Sequence, residues 1–239
     1  MAFWDKMETK IAGEKERNSD GRWLRGYNTA KALGSHSQPY VNLMKQELKD
    51  DPMIDKIKDP ELGGVRLDGG ISQNSLRSLK YIRVMEEFMD LKKVKHVTDF
   101  GGGYGNFCRI WHKTMNYNGR YLHIDLPTMH EMQQEFLAPL GINADYANWQ
   151  DETFIKPKAK SVFHATFSLT ECSMEVRDKM LPYIQKHDYI FLIHNKEFDG
   201  IDNRNWTRNT LIASLNETHH CKYWFDEPSA KDWLMAKKV

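Results

Sequence analysis

The stretch Val97-Thr98-Asp99-Phe100-Gly101-Gly102-Gly103-Tyr104-Gly105 constrains this chain more than any other. A short run with β-branched residues meets four glycines, and a helical pattern follows. That order reads as strand, tight turn, helix. Glycine is needed where the backbone takes positive φ, or where a ligand lies too close for a Cβ. Amides in a loop that opens a helix can receive a negative group. The stretch therefore predicts a nucleotide-type ligand at the carboxyl end of a buried strand. A plain glycine turn at a sheet corner would leave most of these glycines unexplained.

The spacing narrows the ligand. A dinucleotide fingerprint reads G-x-G-x-x-G. Counted from Gly101, the second glycine is Gly103, but Asn106 stands where the third belongs. What is present is Asp99-x-Gly101-x-Gly103-x-Gly105. This pattern resembles motif I of the class I S-adenosylmethionine-dependent methyltransferases.

The rest of the chain suits an α/β domain. From Ser72, a helical face of Leu76, Leu79, Ile82, Met85 and Met89 leads to the first strand. After the glycines, Phe107, Ile110 and Trp111 recur at helical spacing. Tyr121–Asp125 reads as the second strand, and Pro127 opens the next helix. Residues 142–146 read as a short third strand and its exit, and 161–165 as the fourth. A helix is expected over 175–185, with Pro182 awkward near its end. Tyr189–Ile193 is continuously apolar, as a strand buried on both faces should be. A helix over 203–215 precedes two closing strands, 222–225 and 232–236, joined by a turn through Pro228. No helix fits between those two, so they must pair antiparallel. The expected fold is α/β: a Rossmann-like, seven-stranded, mostly parallel doubly wound sheet with an antiparallel C-terminal strand pair. Five βα units followed by such a pair is similar to the class I methyltransferase architecture.

Residues 1–70 read as an N-terminal, mainly helical extension that packs on or caps the main domain, with a flexible tail as the competing reading, and 71–239 as the S-adenosylmethionine-binding domain. The extension is too poor in apolar residues to stand alone. It carries Trp4, Trp23 and Tyr27, and a helix from Pro39 to Leu48 with Val41, Met44 and Leu48 on one face. Asp59-Pro60, Gly63-Gly64 and Gly69-Gly70 mark the boundary loop.

Charge excludes some partners. Net charge is +1, so nucleic-acid binding through a general basic excess is not expected. No run reaches membrane-spanning length, and the charged first ten residues lack the apolar core of a signal peptide. Cys108, Cys172 and Cys221 are scattered and odd in number, which predicts reduced thiols in a cytoplasmic protein. His219-His220 beside Cys221 lacks a spaced partner, so no metal is expected.

Several polar residues fall at strand ends, where open α/β sheets bind ligands. The resemblance implies cofactor roles for Gly101, Gly102, Gly103 and Gly105, for Asp125 with Leu126, for Asp99, for Asp145, and for the backbone at Phe167. Asp125 would accept the ribose hydroxyls, or it caps the helix at Pro127. Asp145 would reach the adenine amine, or it is simply solvated. Asp99 would fix the loop near the methionine ammonium, or satisfy loop amides. Methyl transfer to an alcohol also needs a proton acceptor. His194, at the end of the fifth strand, is the candidate base, or a histidine that bonds backbone. Glu171 is its rival or its orienting partner, or a solvated acid at a helix start. His164 reads as a core residue.

The Asn/Asp-Pro-Pro-aromatic turn of amino-methylating relatives is absent after strand four, where Thr166-Phe167-Ser168-Leu169 stands. The set Gly101–Gly105, Asp125-Leu126-Pro127, Ser168-Leu169-Thr170-Glu171 and His194-Asn195 resembles the sugar O-methyltransferase group. It implies a sugar or glycan acceptor, over which Trp23, Tyr27 or Tyr40 could lie. A nicotinamide-dependent oxidoreductase and a non-catalytic methyltransferase-like module are the alternative readings.

Overall fold

A computed structural model describes residues 9–13, 16, 38–60, 70–150, 157 and 160–239. Trp4, Trp23, Tyr27 and Gly63-Gly64 lie outside them. The described chain forms two compact units.

The first unit takes the described residues of Met1–Arg83, with Gly102–Tyr117 and Asp125–Asn143. It is helical. Helix α1 (Gln38–Glu47) buries Val41 and Met44, with Leu48 just beyond its end. Helix α2 (Gln73–Glu86) starts at Ser72, whose Oγ accepts from Ser75 N at 3.2 Å. Asp59 holds that start from the preceding segment: Ser72 N donates to Oδ2 at 2.5 Å and Ser75 Oγ to Oδ1 at 2.7 Å. Arg83 makes a bidentate pair with Asp51, at 2.6 and 3.0 Å. Helix α3 (Asn106–Met115) follows Gly105 and ends at Asn116, which takes left-handed φ. Helix α4 (Pro127–Leu137) has the proline at its first position, where no N–H is missed.

The second unit takes Val84–Gly101, Asn118–Ile124 and Ala144–Val239. Its centre is a seven-stranded sheet in the order β3-β2-β1-β4-β5-β9-β8. The strands are β1 (His96–Phe100), β2 (Arg120–Ile124), β3 (Asp145–Ala147), β4 (Ser161–Thr166) and β5 (Tyr189–His194), all parallel. After β5 come a two-residue-per-strand hairpin, β6 (Glu197–Phe198) with β7 (Ile201–Asp202), and then β8 (His219–Asp226) and β9 (Lys231–Lys238). β9 runs antiparallel to both β5 and β8. This is the Rossmann-like, mostly parallel sheet with an antiparallel C-terminal pair. β5 is buried at all six positions, as its continuous apolar run requires. Helix α5 (Met174–Ile184) keeps Pro182 in its last turn, where the ring costs one backbone bond near an end that frays anyway. The segment 203–215 is helical but not uniform: α6 (Asn203–Trp206), a π-helical stretch (Thr207–Ile212) and α7 (Ala213–Leu215).

Several details differ from the sequence reading; β8, for one, starts at His219 rather than at Lys222. β3 starts at Asp145 rather than at Ile142, so Asp145 opens the strand instead of closing it. The β6–β7 hairpin was not anticipated. No helix among the described residues is long and apolar enough to cross a membrane.

Candidate functional site

β1 has β2 on one side and β4 on the other, so the strand order reverses between β1 and β4. Ligands of open α/β sheets lie outside the carboxyl ends at such a reversal. The two loops leaving these strands begin at Gly101 and at Phe167. Gly101 N donates to the Ile124 carbonyl at 2.9 Å, then the chain turns through φ +70°. Ser168, from the β4 loop, donates its hydroxyl to the Phe100 carbonyl. A Cβ on Gly101 would stand 2.1 Å from Ser168 Cβ, so only glycine fits.

In the helical unit, Gly103 and Gly105 take φ +57° and +90°. Gln133, fully buried on α4, ties this loop to Asp125. Its Nε2 donates to the Gly103 carbonyl at 2.9 Å and to Asp125 Oδ2 at 3.0 Å. Asp125 Oδ1 accepts from Leu126 N at 2.9 Å. Asp125 is thus aimed by two donors yet only partly buried. Gln133 was missed in the sequence, although a glutamine amid Met129, Met132 and Phe136 on an apolar helix face is a signal.

Asp99 lies deeper than expected. It is 1% exposed, in register with His123 on β2 and His164 on β4. His164 Nδ1 donates to Oδ1 at 2.7 Å and Tyr121 OH to Oδ2 at 2.9 Å. Burial alone would raise this carboxyl. The charge and hydrogen bond of His164, with His123 and Tyr121, outweigh it and hold Asp99 below the ordinary value. The row extends both ways: His123 stacks on Tyr146, and His164 on Phe191. Asp99 therefore braces three strands beneath the glycine turn, and its partners are side chains rather than loop amides.

Asp145 is a correction. It pairs in register with Leu122, two residues short of the carboxyl end of β2, and accepts from Arg120 Nε at 2.5 Å. The carboxyl end of β3 is Ala147, followed by Asn148 and Trp149.

His194 closes β5 as expected but is fully buried. Its Nδ1 lies 2.8 Å from the Asn195 carbonyl, which only accepts, so Nδ1 carries the proton. Nε2 then accepts from Thr207 Oγ1 at 3.0 Å. Burial lowers its pKa, against the Asn195 carbonyl and Asp232, which raise it. Both ring nitrogens are engaged, and an exposed base is not what the structure shows. Tyr40, proposed above as a cover for the acceptor, is buried in α1, with Lys80 Nζ 5.1 Å from its ring centroid.

The β4 loop is more telling. Phe167 takes φ +70° and ψ −46°, a conformation that a side chain rarely adopts. Such strain costs about 1–3 kcal/mol and concentrates at functional sites. It is held by the Ile193 carbonyl, 2.7 Å from Phe167 N, and by Thr170 N and Glu171 N, both 3.0 Å from the Phe167 carbonyl. Glu171 follows, partly buried, and burial pushes its carboxyl up to about 7 against the opposing pull of Lys231. A folded-state value raised from 4.5 means that the native state holds a proton the unfolded chain has lost. That stability is present at low pH and is lost as pH rises toward 7. Glu171→Gln should therefore be more stable than wild type above pH 7, by up to about 3 kcal/mol. The gain should vanish below about pH 4.5. Urea denaturation across that range measures it, and an equal gain at every pH would contradict the assignment.

No family model matches the chain, and no curated protein does. Solved structures do. A SAM-dependent methyltransferase from Aquifex aeolicus matches with TM-score 0.50 and 17% identity, over 83% of this chain and 98% of its own. The PH0226 protein from Pyrococcus horikoshii matches with TM-score 0.53 and 9% identity, over 82% and 99%. The methyltransferase domain of bacterial CtHen1 matches with TM-score 0.50 and 12% identity, over 69% and 98%. This is a Rossmann-like methyltransferase fold.

Proposed function

We propose that this protein transfers a methyl group from S-adenosylmethionine to a hydroxyl of a small molecule. The acceptor class we favour is a sugar or sugar-containing compound. One observation carries the reading. A D-x-G-x-G-x-G turn with Gly101, Gly103 and Gly105 all left-handed leaves β1 where the strand order reverses. Gln133 fixes Asp125 to that turn. The cofactor, when bound, would supply an electrophilic methyl group. Gly101, Gly102, Gly103 and Gly105 would give it backbone contact, Asp125 with Leu126 the ribose end, and the Phe167 backbone the amino-acid end. Asp99 would act from below by stiffening the turn. The sugar assignment is supported by the Asp125-Leu126-Pro127, Ser168–Glu171 and His194-Asn195 pattern alone. With both His194 nitrogens engaged, Glu171 becomes the favoured proton acceptor of the two.

Calorimetry tests the cofactor. Heat is expected with S-adenosylmethionine and with its demethylated product, and none with NAD. Asp125→Ala should weaken binding by about 10- to 100-fold, the loss of hydrogen bonds to a charged acceptor. Heat with NAD alone would return the chain to the oxidoreductases. Heat with none of the three would leave a non-catalytic module.

A further inference from the structure

We propose that Glu171, Lys231 and Asn195, gathered beside Phe167 at the carboxyl ends of β4 and β5, form the acceptor end of the site: Lys231 and Asn195 hold an oxygen next to the reacting hydroxyl, and Glu171 takes that hydroxyl's proton. The proposal rests on the methyltransferase reading above.

Three strands deliver these groups. Glu171 ends the short turn after β4 (Ser168–Glu171), and Asn195 follows the last residue of β5. Lys231 opens β9, which runs antiparallel to β5 with Asp232 opposite His194, so Lys231 lies level with Asn195. Lys231 Nζ donates to Asn195 Oδ1 at 2.5 Å and stands 5.6 Å from the Phe167 ring centroid. The Asn195 main chain is pinned, its carbonyl accepting from His194 Nδ1 at 2.8 Å and from Asn203 Nδ2 at 3.1 Å. Its own Nδ2 makes no hydrogen bond to the described residues.

Glu171 is the unusual member. Its carboxylate accepts no hydrogen bond from the described residues, although it is partly buried. The carboxylate oxygens are not sealed off, so a ligand can bring the donor that the protein does not. A substrate O–H would. The surrounding charges leave Lys231 as its partner. Arg177 from α5 is turned to the carbonyls of Thr170 and Cys172, Asp232 is clamped by Arg204, and His194 faces Thr207. Burial raises Glu171 and lowers Lys231, and each opposes the shift of the other without a direct ion pair. The set therefore offers one proton acceptor and two kinds of donor. That suits a hydroxyl flanked by a second oxygen on the neighbouring carbon, as in a polyol. The acceptor oxygen forms the new O–CH3 bond with its lone pair. The methyl group's bond to the sulfonium sulfur breaks, leaving its electron pair on sulfur, and the hydroxyl proton passes to Glu171.

Two measurements decide. Carbon-13 NMR of the full chain with labelled glutamate follows the Glu171 carboxyl, assigned by its absence in Glu171→Gln. Its midpoint should fall near 7 and move higher in Lys231→Met, because the cation that favours ionisation is gone. A midpoint in the ordinary glutamate range, or one unmoved in Lys231→Met, overturns the pairing. Second, the chain is incubated with S-adenosylmethionine and a panel of monosaccharides and methyl glycosides, with products read by mass spectrometry. Transfer should rise with pH to a plateau above 7, fall by 100-fold or more in Glu171→Gln, and shift its inflection upward in Lys231→Met, while calorimetric cofactor binding stays at the wild-type level. Undiminished transfer in Glu171→Gln overturns the role of Glu171. No product from wild type with cofactor heat present overturns the polyol class. Absence of cofactor heat in wild type sinks the methyltransferase reading itself, a different failure.

Discussion

Arg109→Ala is expected to lower the unfolding free energy by about 3–5 kcal/mol, the usual result of removing one partner of a buried ion pair. Arg109 on α3 is fully buried. Its Nε donates to Asn106 Oδ1 at 2.9 Å, Nη1 to the Lys58 carbonyl at 3.0 Å, and Nη2 to Ser75 Oγ at 2.7 Å and the Ile57 carbonyl at 3.2 Å. Asp59 Oδ1 lies 3.3 Å from Nη2. Truncation leaves the Asp59 carboxylate buried without its cation, and two carbonyls without a donor. Lysine would not rescue it, because one ammonium cannot cover the spread of a guanidinium fork. Urea denaturation measures the loss, and a change under about 1 kcal/mol would show that the pair is dispensable. Arg109→Met combined with Asp59→Asn should recover part of it, since no bare charge remains.

Gly101→Ala is the second large effect, about 3–5 kcal/mol with loss of cofactor heat. The new Cβ would sit 2.1 Å from Ser168 Cβ and 2.5 Å from its Oγ. The neighbour cannot swing away cheaply, because the Cβ itself is in the way and its hydroxyl holds the Phe100 carbonyl. The φ of +70° adds about 1–2 kcal/mol for any L side chain. Adding Ser168→Gly should remove the steric part and leave the conformational part, so the double variant is more stable than Gly101→Ala alone. Gly105→Ala is milder. Its nearest contact is Leu137 Cδ1 at 3.0 Å, the tip of a flexible side chain. Thermal melting of the three variants ranks them. Equal melting points for Gly101→Ala and Gly105→Ala would contradict the argument.

Local chemistry explains what was legible in the sequence. The glycine turn, Pro127 and the apolar run of β5 each speak through one short stretch, and each appeared where expected. The closing pair β8 and β9 followed from a lack of room for a helix between them. Asp145 was misplaced because a three-residue strand has too little pattern to set its ends. The β6–β7 hairpin does have a local signal in the sequence. Asp199-Gly200 takes φ of +50° and +77°, the pairing that a tight hairpin turn prefers. The site residues were harder. Asn195 and Lys231 are far apart in sequence and meet only because β9 returns antiparallel beside β5. His194 looked like a base from its position at a strand end. Its enclosure depends on Thr207, on a π-helical segment that no periodicity announced.

The margins of the sheet bear on how this protein behaves at high concentration. At one side β3 has three residues, too few to template a foreign strand. At the other, β8 runs for eight residues and is the outermost strand among the described residues. Exposed backbone of that length invites sheet-to-sheet growth. Lys222 sits mid-strand, exposed, with Nζ 5.1 Å from the Trp224 ring centroid, and His220 is exposed two residues before it. An added strand would have to crowd that ammonium and strip its water. The same lysine that shades an indole thus also guards the sheet against open-ended assembly.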